Sequence, residues 1–252
     1  MARNNVLRKQ KVYELIKQYV PSKGKILDVS CGNGEILDWL RQDGYRVRGT
    51  NYTKHPDASK FVDIDWGVDI YKGLPYKDCT YDCVILLDVI AHLSDHNAAI
   101  REISRVIKPG GYIIVVSPNI MRINSRIHFL LTGFFKIKKA FIGFDVPGEE
   151  AFKFHNYSPH LPVFLYQLHS HNLNFFLIDA VGYKMKSYLM WFLLVPFIIP
   201  MTFYKTHVME KFIRRSGTSK LLFNILVSSK SLCGENWFIM ARKCGETESV
   251  RN

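Results

Sequence analysis

The stretch Lys25–Leu40, KILDVSCGNGEILDWL, most narrows what this chain can fold into. Ile26, Leu27 and Val29 form the short apolar run of a buried parallel strand. The small residues from Ser30 to Gly34 break it, and Ile36, Leu37 and Leu40 resume at helical spacing. A strand, a Gly-rich turn and a helix start make a socket for a nucleotide-like ligand. Glycine lets backbone approach the ligand, and the free N–H groups of the first helical turn face it. Many strand–helix turns carry two glycines, so this stretch needs company before it means more.

The company lies downstream. Leu74-Pro75-Tyr76, Tyr81-Asp82-Cys83-Val84, Ala91-His92-Leu93 and Ile107-Lys108-Pro109-Gly110-Gly111 follow in a fixed order. Over Lys25–Asn119 this pattern resembles the class I S-adenosylmethionine-dependent methyltransferases, in particular the group with quinone and glycan methyltransferases. The resemblance implies an α/β, Rossmann-like fold: a seven-stranded, mostly parallel sheet with helices on both faces and an antiparallel last strand. It also implies S-adenosyl-L-methionine as cofactor and a methyltransferase as the enzyme class.

Site residues follow from the same resemblance. Asp28 and Ser30 close the first strand, and Ser30, Cys31, Gly32 and Gly34 form the turn. The family usually has glycine where Ser30 stands; the serine hydroxyl is placed to meet the ligand's amino-acid carboxylate. Past the second strand, Tyr45–Thr50, the family has an acid that takes both ribose hydroxyls. Here it is Asn51, whose amide can accept from one hydroxyl and donate to the other. On that reading Asn51→Asp raises cofactor affinity or leaves it level. Asp69 and Ile70 are expected to hold the adenine, with Asp63 and Asp65 as competitors and a solvated loop carboxylate as the plain alternative. Leu87 and Asp88 end the fourth strand, Tyr81–Leu87, where the open edge of a parallel sheet presents its ligands.

A base is needed if the acceptor is a sugar hydroxyl, and histidine titrates near neutrality. His155, in a His-Asn-Tyr-Ser run that resembles the family before its last crossover helix, is the first candidate. His92 is the second. The alternative for either is a structural histidine.

The rest of the chain is more individual. It divides as a single methyltransferase domain, 1–252: an N-terminal helix over 1–22, the cofactor core 25–119, a cap insertion 119–158, and an apolar and basic insertion 187–232 between the last two strands. The first insertion interleaves Phe129, Phe134, Phe135 and Phe141 with Arg122, Arg126, Lys136, Lys138 and Lys139. Ser187–Tyr204, SYLMWFLLVPFIIPMTFY, carries no charge. Pro196 and Pro200 each remove a backbone donor, which predicts a broken or partly inserted helix rather than a clean span. Lys205, His207, Lys211, Arg214, Arg215 and Lys220 follow it. An apolar wedge beside basic residues has the composition of an anchor on anionic lipid, over 187–220. A buried cap helix or a homodimer interface are the alternatives.

Both insertions leave the sheet at the rim of the ligand site, which points to an amphiphilic or lipid-linked saccharide acceptor, or a quinone precursor. Oxygen methylation is the expected reaction. A net charge of +12 also admits a nucleic-acid partner. No nucleic-acid motif and no Asp-Pro-Pro-Tyr sequence is present, so that reading ranks lower. A non-catalytic relative is supported only by Ser30 and Asn51. The five scattered cysteines read as reduced thiols without a metal site. The N-terminus lacks the apolar core of a signal peptide. A cytoplasmic protein, peripheral on the inner face of a membrane, is the expectation.

Overall fold

The computed structural model describes residues 2–60, 62–137, 154–155, 157–209 and 218–245. Lys138, Lys139, Phe141, Lys211, Arg214 and Arg215, singled out above, lie outside the described residues.

The Lys25–Leu40 stretch folds as its pattern dictates. β1 (Lys25–Val29) is buried, the turn follows, and α2 (Glu35–Gln42) buries Ile36, Leu37 and Leu40. Before it comes α1 (Ala2–Tyr19). After it come β2 (Arg46–Asn51), β3 (Ile64–Trp66), β4 (Tyr81–Leu87), α3 (His96–Val106) and β5 (Ile107–Pro118). α4 (Ile123–Thr132) belongs to the first insertion. α5 (Leu161–Ser170), β6 (Leu173–Val181), α6 (Met185–Tyr204) and β7 (Asn236–Lys243) complete the frame, with short helices Ser219–Val227 and Ser229–Cys233 ahead of β7.

The strands form one sheet in the order β3-β2-β1-β4-β5-β7-β6. Among the described strands, only β7 runs against its neighbours, pairing antiparallel with both β5 and β6. In β4 the period of two sends Val84 and Leu86 to one face, with α3 and α5, and Cys83 and Ile85 to the other, with α1 and α2. Order reverses between β1 and β4, so a crevice opens where these two strands end. Ser30 follows one and Asp88 the other.

The two insertions pack on each other. Ile123 and Ile127 of α4 meet Met190, Trp191, Leu194 and Ile198 of α6, over Leu232 and Cys233. Asn124 Nδ2 donates to Ser187 Oγ at 3.0 Å. Here the structure corrects the sequence reading. α6 is one continuous helix of 20 residues through Pro196 and Pro200, then a π turn over Lys205–Met209. The prolines delete two amide donors without interrupting the helix, because one face is held against α4. Nor is α6 a buried cap: Leu189, Phe192, Leu193, Phe197 and Met201 are exposed.

Four basic residues of α1 form ion pairs within the fold. Arg8, Lys9, Lys11 and Lys17 pair with Asp88, Glu35, Asp179 and Asp43.

Candidate active site

The turn after β1 carries a backbone that favours glycine. Ser30, Gly32 and Gly34 have φ of 59°, 61° and 80°. For Ser30 this left-handed conformation carries strain, the physical reason a glycine suits the position. A Cβ on Gly32 would meet nothing within 4 Å, so its outer side is open space; one on Gly34 would press on Ser59 at 3.3 Å.

Asn51 closes this turn. Gly32 N donates to Asn51 Oδ1 at 3.0 Å, and Asn51 Nδ2 donates back to the Gly32 carbonyl at 2.8 Å. Asn51 is buried, and its amide holds the loop instead of standing free for a ribose.

A cavity of about 500 Å³ opens in front of the turn, and its walls include Ser30, Asn51, Asp69, Ile70, Leu87 and Asp88. His92 lines it as well. A second pocket of about 290 Å³ shares Ser30, Leu87 and Asp88 and adds Asp28, Cys31 and Gly32. The structure thus gathers the sequence-derived cofactor residues at one crevice, with Gly34 behind them as the N-cap of α2.

The carboxylates divide by partner. Asp65 is fully engaged, receiving Arg48 through both oxygens at 2.7 Å and the Tyr76 hydroxyl at 2.6 Å, which removes it as a competitor of Asp69. Asp63 is exposed outside the cavity. Asp69 uses one oxygen to accept from Tyr71 N at 3.0 Å, capping a short 3-10 turn. Asp88, at φ 62°, pairs with Arg8, while its Oδ1 is buried without a partner. Asp28 is buried and its Oδ1 also lacks a partner. Burial pushes its pKa up to about 8, against a lowering pull from Lys9. Burial also pushes the Cys31 thiol up, so it is no thiolate at neutral pH.

Two acceptor oxygens without donors and an open-sided glycine turn suit a ligand that brings donors and a positive charge. Residues 27–115 match the family model described as a methyltransferase domain. Over that stretch the chain is similar to a methyltransferase domain.

Among curated relatives, the methyltransferase GfsG of Streptomyces halstedii is 28% identical over 42% of this chain and 41% of its own length. A ubiquinone biosynthesis O-methyltransferase of Bordetella avium is 26% identical over 38% of this chain and 43% of its own. The chain thus spans about two fifths of the length of these relatives. A SAM-dependent methyltransferase structure from Archaeoglobus fulgidus superposes with a TM-score of 0.55 at 17% identity, covering 93% of this chain and 94% of that one; this likeness is one of fold.

Beside this crevice the two candidate histidines meet. The rings of His92 and His155 lie 4.4 Å apart between centroids. His92 Nδ1 is 2.9 Å from the Phe154 carbonyl. Tyr157 N donates to the Ala91 carbonyl at 3.1 Å, tying the same segment to the loop after β4. His92 lines the cavity and His155 does not.

Sequence reading missed Arg8 and Lys9 as site neighbours. Their partners are Asp88 and Glu35, far along the chain, and nothing local signals such a pairing. Tyr52, Thr53 and Tyr71, also in the cavity wall, stand beside residues already singled out and were the more findable omission.

Proposed function

We propose that the chain transfers a methyl group from S-adenosylmethionine to an acceptor hydroxyl, with His92 as the base. When bound, the cofactor supplies a methyl on a positively charged sulfur, already activated for attack. The Gly32 turn gives its backbone to the cofactor, with Ser30 and Asp28 at the amino-acid end and Asp69 and Ile70 at the adenine end. Asp28 and Asp88 bring acceptor oxygens to a donor-rich cation.

The observation that carries the base assignment is the contact between His92 Nδ1 and the Phe154 carbonyl. A carbonyl only accepts, so Nδ1 holds the proton and Nε2 of the neutral ring is the basic nitrogen. His155 packs on that ring and fixes its plane. In-line displacement needs an aligned acceptor oxygen, a place for its proton and exclusion of water. His92 Nε2 takes that proton as the new O–C bond forms and the S–C bond breaks.

An acceptor with an apolar part, delivered at a membrane surface on the cytoplasmic side, is the reading that the cap supports. Leu130 and Leu131 of α4 and the outer face of α6 are exposed apolar side chains, and Lys184, Lys186, Lys205 and Lys220 flank them. Met185–Met209 is long and apolar enough to cross a membrane, with a mean hydropathy of 1.6. Its docking against α4 favours lying on lipid over spanning it. A lipid-linked saccharide or a quinone precursor has the required shape.

Calorimetry with S-adenosylmethionine tests the first step. Wild type should bind and Gly32→Val should not; a wild type that ignores the cofactor overturns the reading. Lipid and glycan comparison of cells with and without the protein then identifies the acceptor.

A further inference from the structure

Arg126 differs from the arginines that the fold holds in ion pairs. It lies in the second turn of α4, half-buried, and its Nε donates to the Met121 carbonyl at 2.6 Å. Arg8, Arg48, Arg105 and Arg122 each pair with a carboxylate. No carboxylate pairs with Arg126 among the described residues. Burial pushes its pKa down, the mark of a desolvated charge without compensation. Such a charge is costly to hold, and removing it is ordinarily neutral or stabilising unless something supplies the counter-charge.

Its position is informative. Met121, to which it is tethered, follows the end of β5, and β5 borders the site: Asp88 N donates to the Val116 carbonyl at 2.9 Å. On the other side the chain runs from His155, against His92, to His160, just ahead of α5. His160 lies in the field of Arg126; burial first and that field second push its pKa down, so it stays neutral beside the guanidinium. The span from His155 to His160 is at most about 17 Å of extended chain. A molecule with its reacting hydroxyl at His92 and a charged group at Arg126 would follow this stretch of chain. The same helix continues to exposed Leu130 and Leu131 and packs on α6 through Ile127.

We propose that Arg126 recognises an anionic oxygen group of the acceptor, a phosphate or a carboxylate. This rests on the methyl-transfer reading and adds the chemical class of the acceptor. The forked guanidinium presents its terminal nitrogens to a planar or tetrahedral oxyanion, and partial burial strengthens the contact. A phosphate joining a saccharide to a lipid, or the headgroup of the lipid itself, carries the required chemistry. Apolar α6 then lies on the side where a tail would extend.

The test uses the full chain saturated with S-adenosylhomocysteine, at constant ionic strength. Inorganic phosphate and acetate are titrated separately, as are vesicles of phosphatidylcholine with and without phosphatidic acid. Heat of binding and thermal midpoint are read for wild type, Arg126→Gln and Arg126→Lys. Wild type should bind phosphate or acetate saturably and melt higher with it. Arg126→Gln should weaken that binding about 10- to 100-fold, with Arg126→Lys between. Without anion, Arg126→Gln should melt no lower than wild type, since the charge it removes is uncompensated. A response to phosphate alone or acetate alone says which group is read. A response confined to phosphatidic acid vesicles, and lost in Arg126→Gln, assigns the group to a lipid headgroup. Anion responses that are equal in wild type and both variants overturn the proposal, as does an Arg126→Gln that melts lower and leaves phosphate binding intact. Failure of wild type to bind S-adenosylmethionine would overturn the methyl-transfer reading instead, and the two results are measured separately.

Discussion

Asn51 and Gly32 are hydrogen-bonded in both directions, at 3.0 Å into the side-chain oxygen and 2.8 Å back to the carbonyl. This pair explains why an amide stands at the end of β2. A carboxylate there could still accept from Gly32 N, but its second oxygen would face the Gly32 carbonyl with no proton between them. The expectation from sequence, that Asn51→Asp keeps or improves affinity, therefore reverses. Asn51→Asp should lower stability by about 1–3 kcal/mol and weaken cofactor binding, because a buried acceptor loses its donor and the turn loosens. Calorimetry with S-adenosylmethionine and a urea unfolding curve read both effects. An aspartate variant that binds more tightly would return Asn51 to the ribose.

Ser30 should show opposite effects on stability and binding. Its φ of 59° costs an L-residue about 1–2 kcal/mol that glycine does not pay. Ser30→Gly should therefore melt higher. If its hydroxyl meets the cofactor's carboxylate, the same variant should bind S-adenosylmethionine less tightly. Higher stability with unchanged affinity would leave Ser30 no role in the ligand.

The contrast between these two positions shows what the sequence could carry. The strands and helices along the chain were legible because period and turn residues are local signals, while the mostly parallel sheet with its antiparallel β7 came with the family resemblance. Ser30 was legible as a departure from glycine, and its φ supplies the reason. The bonding of Asn51 to Gly32 was not legible, because its partner is a peptide group, and every residue has one. Arg8 at Asp88 was invisible for a similar reason, since charge on an amphipathic helix does not name its partner. α6 was misread at its prolines because a helix held by tertiary packing tolerates losses that an isolated one would not.

Asp28 should make binding pH-dependent. Burial holds its carboxyl near a pKa of about 8 in the folded protein, against about 3.9 when unfolded. The folded state then keeps a proton that the unfolded state has lost. This contribution to stability is full below about pH 4 and is lost as pH rises through the folded value near 8. A cationic ligand beside Asp28 favours the carboxylate, so S-adenosylmethionine binding at pH 7 should release a proton, and affinity should rise toward pH 8. Titrations in buffers of different ionisation enthalpy measure this release. Asp28→Asn should abolish it; an identical release in that variant would place the titrating group elsewhere.

His92 should matter more than His155. His92→Ala removes the nitrogen whose tautomer the Phe154 carbonyl fixes, and turnover on the true acceptor should fall by about 10²–10⁴-fold. His155→Ala removes a packing neighbour, so its loss should be smaller. Cofactor affinity should hold in both, since neither residue touches the Gly32 turn. The reverse order of effects would restore His155 as the base.

The apolar helix separates two sets of side chains that the sequence grouped together. Trp191 and Leu194 face α4, while Phe192 and Phe197 point away from it and are 71% and 70% exposed. Polar replacements therefore divide. Phe192→Ser with Phe197→Ser should leave the thermal midpoint near wild type, because those rings bury little within the fold. Binding to vesicles rich in anionic lipid should fall sharply, as each ring forfeits about 1.5–3 kcal/mol of burial in the bilayer interface. Leu194→Ser should instead destabilise the α4–α6 contact, with lipid binding lost only as the fold is lost. Lys205 and Lys220 are exposed beside the apolar face, so binding should also weaken with salt, at about 1 kcal/mol for each basic residue near the surface. Flotation at low and high salt, alongside a melting curve for each variant, reads all three effects. Cofactor binding should persist in the Phe192 and Phe197 double variant, since the Gly-rich turn belongs to another part of the sheet. Wild-type protein that ignores anionic vesicles at low salt would sink the membrane reading, and the exposed face of α6 would then belong to a protein contact.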